Sequence, residues 1–440
     1  MAMGRRGISK QPVLLIGVCV FGACLLLFLF MRGRPAKPAP ETERSPSTAT
    51  GLDHLNTVAT TAKNDDNELK SQIKEAINEA NHNIERRLTN LEQTASIYKT
   101  KGTYTPPVSQ NTYPKVKNLN EDQRKRILVT GGAGFVGSHL VDQLMLQGHE
   151  VTVADNYFTG RRRNVQHWIG HPNFELLHHD VVEPLMIEVD QIYHLASPAS
   201  PVKYMYNPVK TIKSNTIGTI NVLGLAKRVK ARVLFASTSE IYGDPEEHPQ
   251  KETYWGHVNT IGPRACYDES KRVAETLMYA YSKRDHIDVR VARIFNTYGP
   301  RMHMYDGRVV SNFIVQTLNG HPLTVYAPGN QTRSFMYVSD LVSGLMKLMN
   351  SNYSLPCNLG NPEEHTILEF AQLVQDITGV KGKVSMKKSQ QDDPHKRKPD
   401  ITVAKTQLGW EPKVSLRDGI LKTTAYFRKE LGLVNNEQEQ

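Results

Sequence analysis

Apolar positions keep one rhythm up to about residue 31, another from about 73 to 98, and a third from about 124 onward. The first is continuous. From Gln11 to Met31 an apolar run of about 19 residues carries no charge, long enough to cross the roughly 30 Å hydrocarbon core of a bilayer as a helix. It is long for the apolar part of a signal peptide, and no clear small-x-small cleavage site follows it. A transmembrane anchor over 11–31, behind a short tail of residues 1–10, is therefore expected, with a cleavable signal peptide as the competing reading. Residues 33 to 65 are rich in Pro, Ser, Thr and Ala and poor in aromatics, too few apolar groups to fold alone. In the second rhythm Ile73, Ile77, Ala80, Ile84, Leu88, Leu91, Ala95 and Tyr98 advance by threes and fours, the stripe of a helix over 69–98. Such a stripe is buried by a copy of itself in a coiled coil, or by the body of the protein. These segments and a Pro-containing linker make a stem over 32–123.

From Arg124 short β-rich runs alternate with helical stretches. The runs are Ile127 to Thr130, Val151 to Asp155, Phe174 to Asp180, Ile192 to Ala196, Val233 to Ser237 and Val289 to Phe295. This alternation predicts an α/β fold, a Rossmann-type doubly wound parallel sheet. After about Ser311 the pattern is mixed, as for a smaller C-terminal substrate lobe. The catalytic domain is placed at 124–432 and a C-terminal tail at 433–440.

Composition adds exclusions. Of 440 residues, 39% are hydrophobic and 22% charged, ordinary for a globule with a sizeable core. The net charge of +10 raises nucleic acid as a partner, but Arg161 to Arg163 and Lys396 to Lys398 lack interleaved aromatics and any nucleic-acid motif, so none is expected. Two of the four cysteines, Cys19 and Cys24, fall inside the apolar run, which leaves Cys266 and Cys357 and no disulfide framework. Basic residues flank the run on both sides and do not fix its orientation.

The strand ending at Thr130 runs into GGAGFVG, which places Gly131, Gly134 and Gly137 between a strand and a helix. The first permits the tight turn, the second lets backbone approach a pyrophosphate, and the third lets helix and strand pack closely. A carboxylate at Asp155, the end of the next strand, suits a ribose diol and repels a 2′-phosphate, which favours NAD over NADP. Arg161 to Arg163 pull the other way. Asp180 is placed either to meet adenine or to cap its strand.

Tyr267 and Lys271, in YDESK, share one face of a helix expected over Pro263 to Tyr281. An ammonium and a cationic nicotinamide beside the phenol lower its pKa toward neutrality and fit Tyr267 as a general base. Thr238, Ser239 and Glu240 follow an apolar run at the C-terminal edge of the sheet, where open α/β sheets bind ligands. No metal site is expected.

GGAGFVG, the LAS segment 195–197, STSEIYG (237–243), YDESK and RIFNTYGPR (293–301) together resemble the extended short-chain dehydrogenases acting on nucleotide sugars, over about residues 125–432. Within that group HLASPASP (194–201), MYDGRVVSNF (304–313) and DDPHKRKPDI (392–401) are similar to UDP-glucuronate decarboxylases, which make UDP-xylose. The resemblance implies oxidation at C4, loss of carbon dioxide from the resulting β-keto acid, protonation at C5 and return of the hydride. It implies Tyr267 as the base, Lys271 as its tuner, Thr238 on the C4 oxygen, Ser239 and Glu240 beside the carboxyl-bearing carbon, and Arg397 assisting carboxylate loss or proton return. A surface basic cluster is the other reading of Arg397. NAD contacts are implied at Phe135, Val136, Asn156, Phe158, Thr159, Gly160, Val181, Leu195 and Ser197. Asn296, Arg308 and Arg333 are implied on the diphosphate and Tyr326 on uracil; alternatively Asn296 caps a turn and Tyr326 belongs to the lobe core. Related 4,6-dehydratases carry an aspartate where Ser239 stands. The resemblance further implies a homodimer and a type II Golgi membrane protein with a lumenal enzyme, which makes Asn330 and Asn352 candidate glycosylation sites. A 4-epimerase or 4,6-dehydratase on another nucleotide sugar, and a silent NAD-binding interaction protein, are the alternatives.

Overall fold

The computed structural model describes residues 113–387 and 396–433, together with helical positions between 74 and 89. The expected anchor at 11–31, most of the stem and the C-terminal tail after 433 lie outside the described residues. Among the described residues no helix is long and apolar enough to cross a membrane. In the stem unit Ile77, Ile84 and Leu88 are all about half exposed on helical backbone.

The catalytic unit is built on seven parallel strands: β1 (Arg126–Thr130), β2 (Glu150–Asp155), β3 (Phe174–His178), β4 (Gln191–His194), β5 (Arg232–Thr238), β6 (Val289–Ile294) and β7 (Pro356–Leu359). Their order across the sheet is β7-β6-β5-β4-β1-β2-β3. The helices are α1 (Phe135–Leu146), α2 (Pro201–Tyr206), α3 (Pro208–Val229), α4 (Ala265–Asp285), α5 (Val309–Leu318), α6 (Val338–Asn350), α7 (Ile367–Thr378), α8 (Thr402–Leu408) and α9 (Leu416–Glu430). Because side chains alternate along a strand, Ile127 and Val129 enter one core cluster while Leu128 enters the other. Both faces are apolar, as parallel sheets require.

Sequence and structure differ at the edges. The third strand stops at His178, so Asp180 lies beyond it. The seventh strand, PCNL, is not among the expected runs, because Pro356 and Asn358 break its apolar pattern. The smaller lobe is also not one contiguous tail. Thr297–Tyr298, Leu323–Tyr326, Thr332–Ser334 and Glu364–Thr366 form small pairings outside the main sheet, while α6 and β7 return to the nucleotide-binding half between them. Lys396–Arg397 then pairs in parallel with Thr332–Ser334, setting Arg397 beside Arg333 in register.

Candidate active site

The cofactor end starts at the glycine turn. Gly131 adopts φ +71°, and a Cβ there would stand 2.8 Å from Ala196 Cα. A Cβ on Gly137 would stand 2.2 Å from the Gly131 carbonyl, so the helix packs on the turn only with glycine present. Gly134 is the N-cap of α1, which turns the helix N-terminus and its free N–H groups toward a cleft lined by Gly131, Gly134, Phe135, Val136 and Gly137.

Asp155 closes the other side. Its buried carboxylate accepts the Ala133 N–H at 3.0 Å and the Tyr157 N–H at 2.8 Å. Burial raises its pKa and these two amides oppose the rise. Asn156, Phe158, Thr159, Val181, Leu195 and Ser197 line the same cleft. Gly160 does something different: a Cβ there would stand 2.7 Å from an Asp155 oxygen, so the glycine makes room for that carboxylate. Asp180 accepts from Asn156 at 2.8 Å and from Lys210 Nζ at 2.7 Å, which orients two groups that line the cleft. Arg161 and Arg163 both pair with Glu430 near the end of α9.

At the sheet edge, Tyr267 and Lys271 are buried on α4. Lys271 Nζ donates to the Ala236 carbonyl at 2.8 Å and stands 4.7 Å from the Phe235 ring centre. Burial draws its pKa down to about 7, with Glu275 opposing. The Tyr267 phenol is pushed up to about 12 by burial, against Arg308 and the Thr238 hydroxyl. In the protein alone, desolvation thus outweighs the lowering expected from the spacing of Tyr267 and Lys271. Thr238 ends β5 and caps the following turn, accepting the Glu240 N–H at 3.2 Å. Ser239 is buried in the same cleft.

Glu240 is gripped on both oxygens, by Arg264 and by Arg397. Burial alone would raise its pKa; the two guanidiniums outweigh burial and hold it well below the ordinary carboxylate range. Arg397 is only 3% exposed, which removes the surface-cluster reading, and its Nη2 also donates to the Gly243 carbonyl at 3.2 Å. Its Nε is buried without a partner among the described residues. Asp268 is pushed up to about 8 by burial and by the Glu240 charge.

Two residues here escaped sequence reasoning. Arg264 sits three positions before Tyr267, a spacing that puts both on one helical turn and was the available signal. Tyr204 stacks on Tyr267 with ring centres 5.0 Å apart and planes at 9°, and no local pattern announces that contact.

A second cleft continues from Glu240 and Arg264 into the lobe and is lined by Asn296, Arg308, Tyr326, Arg333 and Arg397. Arg308 donates to the Ala199 carbonyl and lies 3.5 Å from Asp306. Tyr326 is half-buried on the wall of this cleft. Arg333 donates to the Thr332 carbonyl at 2.9 Å. Among the described residues no cluster could hold a metal ion.

Residues 128–423 match the family model described as GDP-mannose 4,6 dehydratase. The chain is 70% identical over 326 residues to UDP-glucuronic acid decarboxylase 1 of Xenopus tropicalis, covering 74% of this chain and 77% of that one. Among solved structures it is similar to the UDP-glucose 4-epimerase of Thermotoga maritima with UDP-glucose (TM-score 0.65, 32% identity, 70% of this chain and 99% of that one). It is also similar to the UDP-glucuronic acid 4-epimerase of Bacillus cereus in complex with UDP-glucuronic acid and NAD (TM-score 0.63, 27% identity, 69% and 99%).

Proposed function

The chain belongs to the GDP-mannose 4,6 dehydratase family and, within it, to the UDP-glucuronic acid decarboxylases, and from that membership we propose that it converts UDP-glucuronate to UDP-xylose and carbon dioxide with NAD as cofactor. The observation that carries the reading is an excess of fixed cations at the reacting end. Arg264 and Arg397 converge on the single carboxylate of Glu240, and burial keeps the nearby Asp268 toward its neutral form. Such a site suits a sugar that brings its own carboxylate.

The glycine turn and the N-terminus of α1 would hold the pyrophosphate of NAD, and Asp155 the adenosine ribose. Pairing of Arg161 and Arg163 with Glu430 leaves them less suited to a 2′-phosphate, so NAD is preferred over NADP. NAD, when bound, would supply the hydride acceptor for oxidation at C4, which makes the C6 carboxylate part of a β-keto acid; the enolate left by loss of carbon dioxide takes a proton at C5 before C4 is reduced again. Tyr267 takes the proton of the C4 hydroxyl, and Lys271 stabilises the phenolate. Thr238 holds the C4 oxygen. Arg264 and Arg397 offset the negative charge that spreads from C5 toward the C4 oxygen as the carboxylate departs. Ser239 lacks the acidity that expulsion of a C6 hydroxyl requires, which sets this site apart from a 4,6-dehydratase. Asn296, Arg308 and Arg333 hold the diphosphate and Tyr326 the uracil.

A nuclear magnetic resonance time course of the full-length protein with UDP-glucuronate and NAD tests the proposal. UDP-xylose and carbon dioxide should accumulate without added reductant. Accumulation of UDP-galacturonate with no carbon dioxide would instead make the protein a 4-epimerase.

The finer assignments are part of the same proposal. The protein forms a homodimer through α3 and α4, where Val209, Ile212, Ile220 and Val273 are exposed apolar side chains. It is a type II Golgi membrane protein anchored by residues 11–31, with the enzyme in the lumen. Asn330 and Asn352 are exposed, as glycosylation would require.

A further inference from the structure

Tyr267, Lys271 and Glu275 fall four residues apart on α4 and so share one face. Glu275 is 8% exposed and heavily partnered. Ser237 Oγ donates to its Oε1; Arg293 of β6 donates from Nε to Oε1 at 3.1 Å and from Nη2 to Oε2 at 2.9 Å. Arg293 also donates to the Tyr242 hydroxyl at 3.0 Å and to the Glu252 carbonyl at 2.7 Å. The Tyr242 hydroxyl in turn donates to Asn358 of β7 at 2.8 Å. This network ties β5, β6, β7 and α4 together inside the fold, and neither cleft is lined by Glu275 or Arg293. A buried ion pair is often no more stabilising than well-packed apolar side chains, so its presence calls for another use.

Resting on the function proposed above, we propose that Glu275 is a positioning residue for the proton-transfer pair: fixed by Arg293 and Ser237 on the helix face that carries Lys271, its carboxylate favours the ammonium form of Lys271 and so shifts the NAD-loaded pair toward the arrangement in which Tyr267 has given up its proton. Two arrangements of the pair hold the same number of protons, a phenolate beside an ammonium and a phenol beside a neutral amine, and only the first can accept the C4 proton. Burial disfavours charge on both partners. Glu275 is the group that opposes the loss of charge on Lys271. The other groups around Lys271 do not replace it. His194 of β4, bonded to Thr130 at 2.8 Å and Thr219 at 3.2 Å, is driven down to about 3 by burial and by Lys271 and so stays neutral. Phe235 offers only its ring face, and Ala236 only a neutral carbonyl, at 2.8 Å. Around Glu275 stand Ser237, Arg293, Tyr242 and Tyr279, of which Arg293 alone carries charge at neutral pH.

Phenolate absorbance of the NAD-loaded, full-length protein, taken as the difference from its Tyr267→Phe counterpart across a pH titration, reads the pair directly. Glu275→Gln should lose most of the Tyr267 phenolate near neutral pH, and its kcat should fall about ten- to a hundredfold. The double variant Glu275→Gln with Arg293→Met, which also removes the stranded guanidinium, should recover part of both. An unchanged phenolate titration in folded Glu275→Gln overturns the proposal. So does a double variant that recovers thermal stability but none of the phenolate, the outcome for a merely structural ion pair. If Glu275→Gln does not fold, Glu275→Asp, which keeps the charge but draws it back by one methylene, should shift the titration in the same direction, and no shift overturns the proposal. The spectral measurement needs no sugar, so a wrong substrate would show itself separately, as wild-type protein that releases no carbon dioxide.

Discussion

A lysine ammonium in water keeps its proton until about pH 10.4, whereas burial brings Lys271 down to about 7. Between those values the unfolded chain binds a proton that the folded chain does not, so this residue makes stability rise with pH across that window. Below it, the folded protein carries a buried ammonium at full desolvation cost. Lys271→Met should therefore raise the thermal midpoint of the NAD-free protein most at pH 6, with the gain shrinking toward pH 10. A gain independent of pH would assign the effect to packing. The same burial explains what a sequence conveys at this scale. Tyr267 and Lys271 can be picked out because four-residue spacing on a helix is a local fact. Arg264 gripping Glu240, Tyr204 stacked on Tyr267, and Arg293 under Glu275 are pairings between separate elements, and no spacing along the chain encodes them.

Elements follow a similar rule. Six of the sheet strands were legible to within a few residues because apolar runs alternate with helical stretches, while β7, whose apolar positions are broken by Pro356 and Asn358, was missed. Helix α7 was legible only as part of a mixed tail, yet it carries its own start and stop signals. Thr366 and Glu369 form a reciprocal capping box at its N-terminus, and Gly379 ends it in the left-handed conformation. Since Ile367 of this helix lines the second cleft, a frayed first turn would reach the wall of the sugar-nucleotide site. Thr366→Ala should cost about 1 kcal/mol of stability, read by urea unfolding. A loss below the error of that measurement would mean that tertiary packing alone holds the turn.

At the scale of the whole molecule, α3 carries a run of exposed apolar side chains. Val209, Ile212, Ile217 and Ile220 are between 40% and 60% exposed on one helix. If the protein is the homodimer proposed, Ile212→Lys should shift it from dimer to monomer in sedimentation velocity; a monomeric wild type would refute the arrangement. The composite lobe matters at this scale too. Glu240 belongs to the nucleotide-binding half, Arg264 reaches it from the start of α4, and Arg397 arrives 157 positions later in the chain on a strand laid against the lobe. Both oxygens of the carboxylate are therefore matched only when the strand that carries Arg397 is docked beside Thr332–Ser334. With that strand undocked, Glu240 would keep one guanidinium and lose the other, so on the proposed mechanism the same docking that completes the lobe also completes the charge balance of the reacting end.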